Sequence, residues 1–382
     1  MIPPRTLASI IAEHGGTIQT GPFGSQLHQS DYASEGIPFV MPKDIVDGRV
    51  NEATVARVPE EKARQLSRHF LKAGDIVFPR RGDISKCALI GVEQEGFLCG
   101  SGCLKIQIPT EVYVPRFLYY YLGLRHTVEW LERNAVGTTM LNLSEKIVGG
   151  LPLPIIALGL QSRIVGILSA YDDLIENNRR RIRLLEEAAR LLYREWFVHL
   201  RFPGHEHVAV VDGVPEGWER KTLGEVAPLN YGKGLRQNDR IPGPFAVYGS
   251  SGIVGTHVKA LVSGPTIIVG RKGNVGSVYW SPDDCYPIDT VYFIETSQCS
   301  FYLYYVLQNL AFISTDVAVP GLNRDYAHSR VMLVPDMMHF RLFESTVAPL
   351  HGQIKVLRKQ NATLASARDL LLPRLMNGEI SV

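Results

Sequence analysis

The 382-residue chain is 45% apolar and carries a formal net charge of only +2. Its length exceeds one ordinary domain of roughly 100–200 residues, and its apolar content excludes a disordered chain. Near-neutral charge gives no global signature of nucleic-acid binding, so a surface of that kind has to come from local clustering of Lys and Arg.

Five cysteines, Cys87, Cys99, Cys103, Cys285 and Cys299, are sparse and odd in number, with no CxxC pair. Cys99 and Cys103 are spaced like one half of a metal site, but no second Cys/His pair with finger spacing follows; the expectation is reduced thiols, no metal and a cytoplasmic protein. The N-terminus lacks the basic start and apolar run of a signal peptide. No stretch approaches the roughly 18 apolar residues of a membrane span.

Taken in chain order, residues 1–155 read as a first mixed domain. Segments 74–92 and 103–109 have the pattern of short strands with tight turns, and 114–134 reads as one helix. Residues 156–200 form a helical spacer. From 161 to 197 there is no Pro and one Gly, Gly166, and the apolar positions step by fours and threes: Ile164, Leu168, Tyr171, Ile175, Asn178, Ile182, Leu185, Ala189, Leu192 and Trp196. This is a heptad seam with one polar intruder, Asn178, and such a helix spans roughly 55 Å at about 1.5 Å per residue. Residues 199–220, rich in Pro and Gly, read as a linker containing His205 and His207.

The second half follows the same plan. Within 201–336, segments 265–281 and 289–296 read as strands and 300–315 as one helix. Residues 337–382 form a second spacer with the seam Phe343, Val347, Leu350, Ile354, Leu357, Asn361, Leu364, Arg368, Leu371 and Leu375. Pro349 and Gly352 weaken its first turns, Pro373 is expected to end or kink it, and Gly378 stops it.

These parallels are one internal repeat. Ile76 to Ile84 (IVFPRRGDI) matches Ile267 to Val275 (IIVGRKGNV). The separations of matched residues are 216 (Thr6/Thr222), 206 (Pro38/Pro244), 191 (Arg80/Arg271), 181 (Asn142/Asn323) and 179 (Leu185/Leu364). They fall steadily and stay in order, so the chain is two divergent copies of one unit. The expected fold is α+β: two similar mixed α/β domains separated by two long coiled-coil helices, in a pseudo-two-fold repeat. A two-fold would make the helices antiparallel, with Asn178 and Asn361 fixing register.

No chemistry is legible. GxxxxGK[ST], GxGxxG after a strand, HExxH, GxSxG and the Asn/Asp-Pro-Pro-aromatic tetrad are all missing. Glu60-Glu61-Lys62 is a fragment of a nuclease pattern inside a charged run. A binding role is favoured. In each copy a turn carries two cations before Gly: Arg80-Arg81-Gly82-Asp83 with Lys86 beyond, and Arg271-Lys272-Gly273-Asn274. Such turns hold cations outward for phosphate or guanine, and Asn suits adenine; the plain alternative is a polar hairpin tip. Further candidates are Phe23, Ser25, Gln26 and Lys43 in the first copy, and Tyr231, Lys233, Arg236, Tyr248, Ser250 and Ser251 in the second, all in Gly-rich loops that also read as ordinary turns. The loops before the closing helices add Thr138, Asn142, Asn323 and Arg324; the two Asn are equally suited to capping. Two readers on one spacer suit two different half-sites, which recur on one DNA face at roughly 34–36 Å.

The chain resembles the specificity subunit of type I restriction-modification systems over essentially its whole length. The resemblance lies in GPFGSQL (21–27), VGTTMLNLS followed by LPLP (136–144, 151–154), the helix over 167–197 and the ending TLASARDLLLPRLMNGEISV. It implies two target-recognition domains held apart by antiparallel helices, double-stranded DNA as ligand and no catalysis or cofactor in this subunit. It also implies two methyltransferase subunits using S-adenosylmethionine, and restriction subunits using ATP and Mg, as partners. Copy one departs from the pattern in lacking the Trp found at Trp218. The rival expectation is a coiled-coil adaptor between protein-binding domains that reads no DNA.

Overall fold

The structure, a computed structural model, describes residues 5–23, 26–137, 140–313 and 321–382. It divides into two compact units. One is Met1–Ile175 with Thr363–Val382, and the other is Glu176–Ala362.

Each unit is built on the same strand order. In the first, a four-stranded antiparallel sheet runs Thr17–Thr20, Cys103–Gln107, Ile76–Pro79, Ala88–Leu89. In the second it runs Asn230–Tyr231, Val291–Ile294, Thr266–Gly270, Val278–Ser281. The central strands read as unbroken β-branched and aromatic runs because both their faces are covered: Ile76, Val77, Ile267, Ile268 and Val269 are all fully buried. A three-stranded sheet follows in each unit, and in both its middle strand pairs parallel to one neighbour, Ile37–Val40 with Leu98–Cys99 and Phe245–Gly249 with Cys285–Pro287. A short ladder then ties an early strand of each copy to its last, Arg5–Thr6 to Pro152–Leu153 and Glu219–Thr222 to Val331–Val334. The repeat found in the sequence is thus a repeat of topology.

Two long helices, Leu158–Tyr193 and Met337–Met376, complete the cores. Every expected seam position of both is buried or half-buried. Within the second unit Tyr193 and Trp196 lie against Phe343 (ring centroids 6.3 and 5.8 Å) while Asn178 donates to Asn361 Oδ1 at 3.0 Å, so the helices run antiparallel. Within the first unit Ile164, Leu168 and Leu375 share one core, and Arg368 reaches Asp172 at 2.6 Å. Asp172 also accepts from Tyr120 at 2.5 Å. A seam Arg is tolerated because its charge is paired there.

Four expectations change. The helix over 114–134 is two, Pro115–Leu122 and Arg125–Asn134, because Gly123 caps the first and Leu124 is extended. Over 300–315 the helix covers Phe301–Asn309 and ends at an extended Leu310. The second long helix continues through Pro349 and Pro373. Both are exposed, so the carbonyls they leave unpaired face solvent while Val347, Leu350, Leu371 and Leu375 hold the other side. Finally, 199–220 is no free linker. Phe202 is fully buried, stacks 4.7 Å from Trp218, and Trp218 donates to Asp336 Oδ2 at 3.2 Å. Between them Val210–Val211 and Val214–Pro215 pair as a hairpin, its turn at Asp212 and Gly213 having φ of 50° and 72°.

Two stability predictions follow from this packing. Phe343→Ala empties the aromatic seam and is expected to cost about 3–5 kcal/mol, whereas Leu342→Ala, at a 40% exposed position, is expected to cost under about 0.5 kcal/mol; urea unfolding measures both. His351, stacked on Phe301 at 4.2 Å and bonded to the Tyr305 hydroxyl at 2.8 Å, is held down to about 4 by burial and then by Arg358. Below its ordinary value the unfolded chain binds a proton that the folded one refuses. Stability from this group is therefore intact at neutral pH and falls as pH drops from about 6.5 towards 4. His351→Gln is expected to flatten that part of the urea-midpoint profile; an unchanged slope contradicts it.

Candidate nucleic-acid interface

The two cation-glycine turns have the same backbone. Gly82 and Gly273 have φ of 81° and 79°, the left-handed conformation that lets the chain reverse with its cations outward. Each turn is fastened by the loop before the closing helix. Leu143 N–H donates to the Arg80 carbonyl at 2.8 Å, and Leu322 N–H to the Arg271 carbonyl at 2.8 Å. Arg81 bridges Asn142 and Lys272 bridges Gly321 in the same way. On the other side Arg80 N–H donates to Gly102 at 2.7 Å, and Arg271 and Lys272 to Thr290 at 2.9 and 3.0 Å.

The arginine heads are fixed too. Arg80 Nε donates to Asn142 Oδ1 at 3.2 Å and the guanidinium lies 5.5 Å from the Phe23 ring, which is 53% exposed. Arg271 donates to the Asp289 carbonyl at 2.9 Å and lies 5.0 Å from the Tyr231 ring and 5.8 Å from Tyr292. Arg324 also lies 5.0 Å from Tyr231. Each unit therefore sets a planar cation on an aromatic face, an arrangement that limits the guanidinium's motion while leaving donors for carboxylate, phosphate or base acceptors.

A second shared device places the Gly-rich loops. Gly21 donates to Cys103 at 2.9 Å and Gly232 to Val291 at 3.2 Å. A Cβ at Gly21 would fall 2.0 Å from the Gly100 carbonyl oxygen, and one at Gly232 2.1 Å from that of Ile288.

The sequence candidates divide accordingly. Arg80, Phe23, Gln26 and Asn142 converge in the first unit, with Gln26 accepting from Phe23 N–H at 3.3 Å. Lys43 is exposed beside Pro42, which lies against Gly102. Asp83 and Lys86 pair with each other at 3.1 Å, and Asp83 is held below the usual carboxylate range first by the Ser85 hydroxyl. In the second unit Tyr231, Arg271 and Arg324 form one cluster. Lys233, Arg236, Ser251, Lys272 and Asn274 are exposed, and Ser250 abuts Gly273 and accepts from Ser277 at 2.6 Å. Tyr248 is a core residue, 6% exposed and packed with Ile268 and Cys285, because its strand turns that side chain inward. Asn323 is a helix cap, accepting from Asp325 and Tyr326 N–H at 2.8 and 3.0 Å. Ser25 and Thr138 lie outside the described residues.

An open groove of about 520 Å³ runs beside Arg80, lined also by Gln19, Phe23, Arg68, Asn142 and Lys146. Arg68 sits in an ordinary charged run and Lys146 follows Glu145 at the start of a short helix, so neither carries a local signal that folding brings it to this groove. Cys87 and Cys99 are pushed up to about 12 by burial, which leaves them poor nucleophiles.

Residues 25–187 and 215–324 match the family described as the type I restriction modification DNA specificity domain. The chain belongs to this family. A similar specificity-family protein is the type I restriction enzyme MjaIX specificity subunit of Methanocaldococcus jannaschii, 23% identical and aligned over 92% of this chain and 88% of that one. The HindI specificity subunit of Haemophilus influenzae is 21% identical over 91% of this chain and 95% of its own length. The crystal structure of a type I restriction-modification S subunit from M. genitalium shares the fold, with a TM-score of 0.53 at 19% identity over 97% of this chain and 95% of that one. Among the described residues, no helix of this specificity-family chain is long and apolar enough to cross a membrane.

The close approaches at the glycines give a stability test. Gly21→Ala and Gly232→Ala force backbone apart and are expected to cost about 1–3 kcal/mol. Gly82→Ala meets nothing within 4 Å and is expected to cost only about 1 kcal/mol of backbone strain. Thermal unfolding ranks the three.

Proposed function

We propose that this chain reads a split, asymmetric double-stranded DNA sequence, one half with each unit, and directs adenine methylation and DNA cleavage by other subunits while catalysing neither. The observation that carries this reading is the recurrence of one fastened cation-glycine turn in two copies of one topology, with different side chains around it. Arg80 with Phe23 and Asn142 stands in one copy, and Arg271 with Tyr231 and Arg324 in the other. An identical frame bearing different polar groups suits two different half-sites, with some contacts positioning on phosphate and others reading bases. The similar proteins bear the name of type I restriction enzyme specificity subunits, which supports the same role.

The partners proposed are two methyltransferase subunits, which hold S-adenosylmethionine, and restriction subunits, which hold ATP and Mg; this chain holds no cofactor. Leu174, Leu184 and Leu191 on the first long helix and Val356 and Leu370 on the second are each more than half exposed, which suits helices that receive protein partners. An adaptor that reads no DNA accounts for those helices but gives no reason for two fastened cationic turns.

Co-expression with the methyltransferase partner, followed by mapping of methylated adenines, is expected to return a motif with two unlike halves and a constant gap. Arg80→Ala with Arg81→Ala is expected to relax recognition of one half only, and Arg271→Ala with Lys272→Ala the other, each by about 1–3 kcal/mol per affected base. An undivided motif refutes the two-reader arrangement. Unchanged methylation in both variants removes these turns from recognition.

A further inference from the structure

We infer that Arg68 is a further DNA-contacting cation of the first unit, held in the groove beside Arg80 by His69 and Lys105, and that its ligand is a backbone phosphate. This rests on the DNA-reading role proposed above. Among the described residues no carboxylate pairs with Arg68. It stands in the single 3-10 turn Ser67–His69 and lines the same groove as Arg80 and Lys146.

Two buried groups hold this turn. His69 is 2% exposed, and its Nε2 accepts from Arg68 Nε at 3.1 Å. Burial, then the charges of Arg68 and Lys105, keep the ring neutral, with its ordinary value lowered to about 4, while the Thr20 backbone faces it from the neighbouring strand. A neutral ring that accepts at Nε2 carries its proton on Nδ1. Lys105 is 6% exposed and donates to the Arg68 carbonyl at 3.0 Å and the Phe70 carbonyl at 2.7 Å, one on each side of His69.

An ammonium so buried is a costly way to fill a strand position. The second unit shows that the position does not need it. Lys105 pairs with Val77 across the central strand, and the residue in the same register there, opposite Ile268, is Phe293. What Lys105 adds is a grip on the two carbonyls that bracket His69, and hence on Arg68.

The presented chemistry matches that of Arg80. Both guanidinium groups are tied through Nε, Arg68 to His69 and Arg80 to Asn142, which leaves the paired Nη donors that match a phosphate's oxygens. The groove's carboxylate, Glu145, is engaged with Thr20, accepting from its N–H at 2.7 Å and its hydroxyl at 3.1 Å. Three cations, Arg68, Arg80 and Lys146, therefore line the groove with one carboxylate, Glu145, whose Oε1 is turned to Thr20, so the lining carries a net positive charge.

The test measures binding of the full chain to a duplex carrying its mapped split motif, across a salt series. Arg68→Ala is expected to weaken binding roughly tenfold or more and to lower the magnitude of the log K against log salt slope by about one. Its melting temperature should stay near that of the wild type. Lys105→Met removes that grip without touching DNA; it leaves the Arg68 and Phe70 carbonyls and buried Asp75 without their partner, so it is expected to melt somewhat earlier yet, measured where it is folded, to show the same loss of affinity and slope. Arg68→Lys is expected to keep the slope and lose part of the affinity. Wild-type affinity and slope in Arg68→Ala, with binding lost in Arg80→Ala, overturn the inference and leave the DNA-reading role standing. Wild-type binding in both overturns the two together. If Arg68→Ala melts early, Lys105→Met decides: normal slope in that folded variant refutes the positioning.

Discussion

Each unit closes its core on an antiparallel contact between helices that are far apart in the chain. In the first unit Ile164 and Leu168 share a core with Leu375, and in the second Ala189 and Tyr193 share one with Phe343 and Val347. Neither core is complete until the distant segment arrives. Loop closure over such lengths costs little more than over short ones, because the entropy grows only logarithmically, so the apolar seam can offset it. Contacts of such high sequence separation do, however, make for slow folding.

On that base the two copies keep one frame and vary what it carries. The four-stranded sheets share a strand order, and the exposed turn glycines Gly82 and Gly273 share a backbone conformation. The loop before each closing helix fastens the turn through Leu143 or Leu322. Affinity for an extended, charged ligand gains from donors whose positions are set before binding, since less freedom is lost on contact. The frame supplies that order, and side chains such as Phe23, Asn142, Tyr231 and Arg324 supply the difference between the copies.

The buried polar groups fit the same division of labour. Asn178 with Asn361 and Asp172 with Arg368 and Tyr120 sit on or beside the helix seam. Apolar residues there would pack as tightly but would let the helices slide; a polar pair is satisfied in one register only. Lys105 sits in a sheet and satisfies two loop carbonyls instead. In each case a desolvated group specifies an arrangement rather than adding net stability.

The sequence by itself determined the repeat, the long helices with their seams and the cation-glycine turns. Each depends on spacing along the chain: a 3.5-residue period, a Gly after two cations, matched segments in order. Local signals failed where burial decided the outcome. Nothing in 199–220 marks Phe202 and Trp218 as core, Tyr248 looks like its exposed neighbours, and Pro349 and Pro373 look like helix ends. Only the tertiary structure brought Arg68 to the groove of Arg80, with buried Lys105 behind it, because the turn Ser67–His69 and the strand Cys103–Gln107 are separate elements that meet when that strand pairs between Thr17–Thr20 and Ile76–Pro79. Spacing records what one element does; contact between elements depends on strand pairing and burial, which no single stretch of sequence encodes.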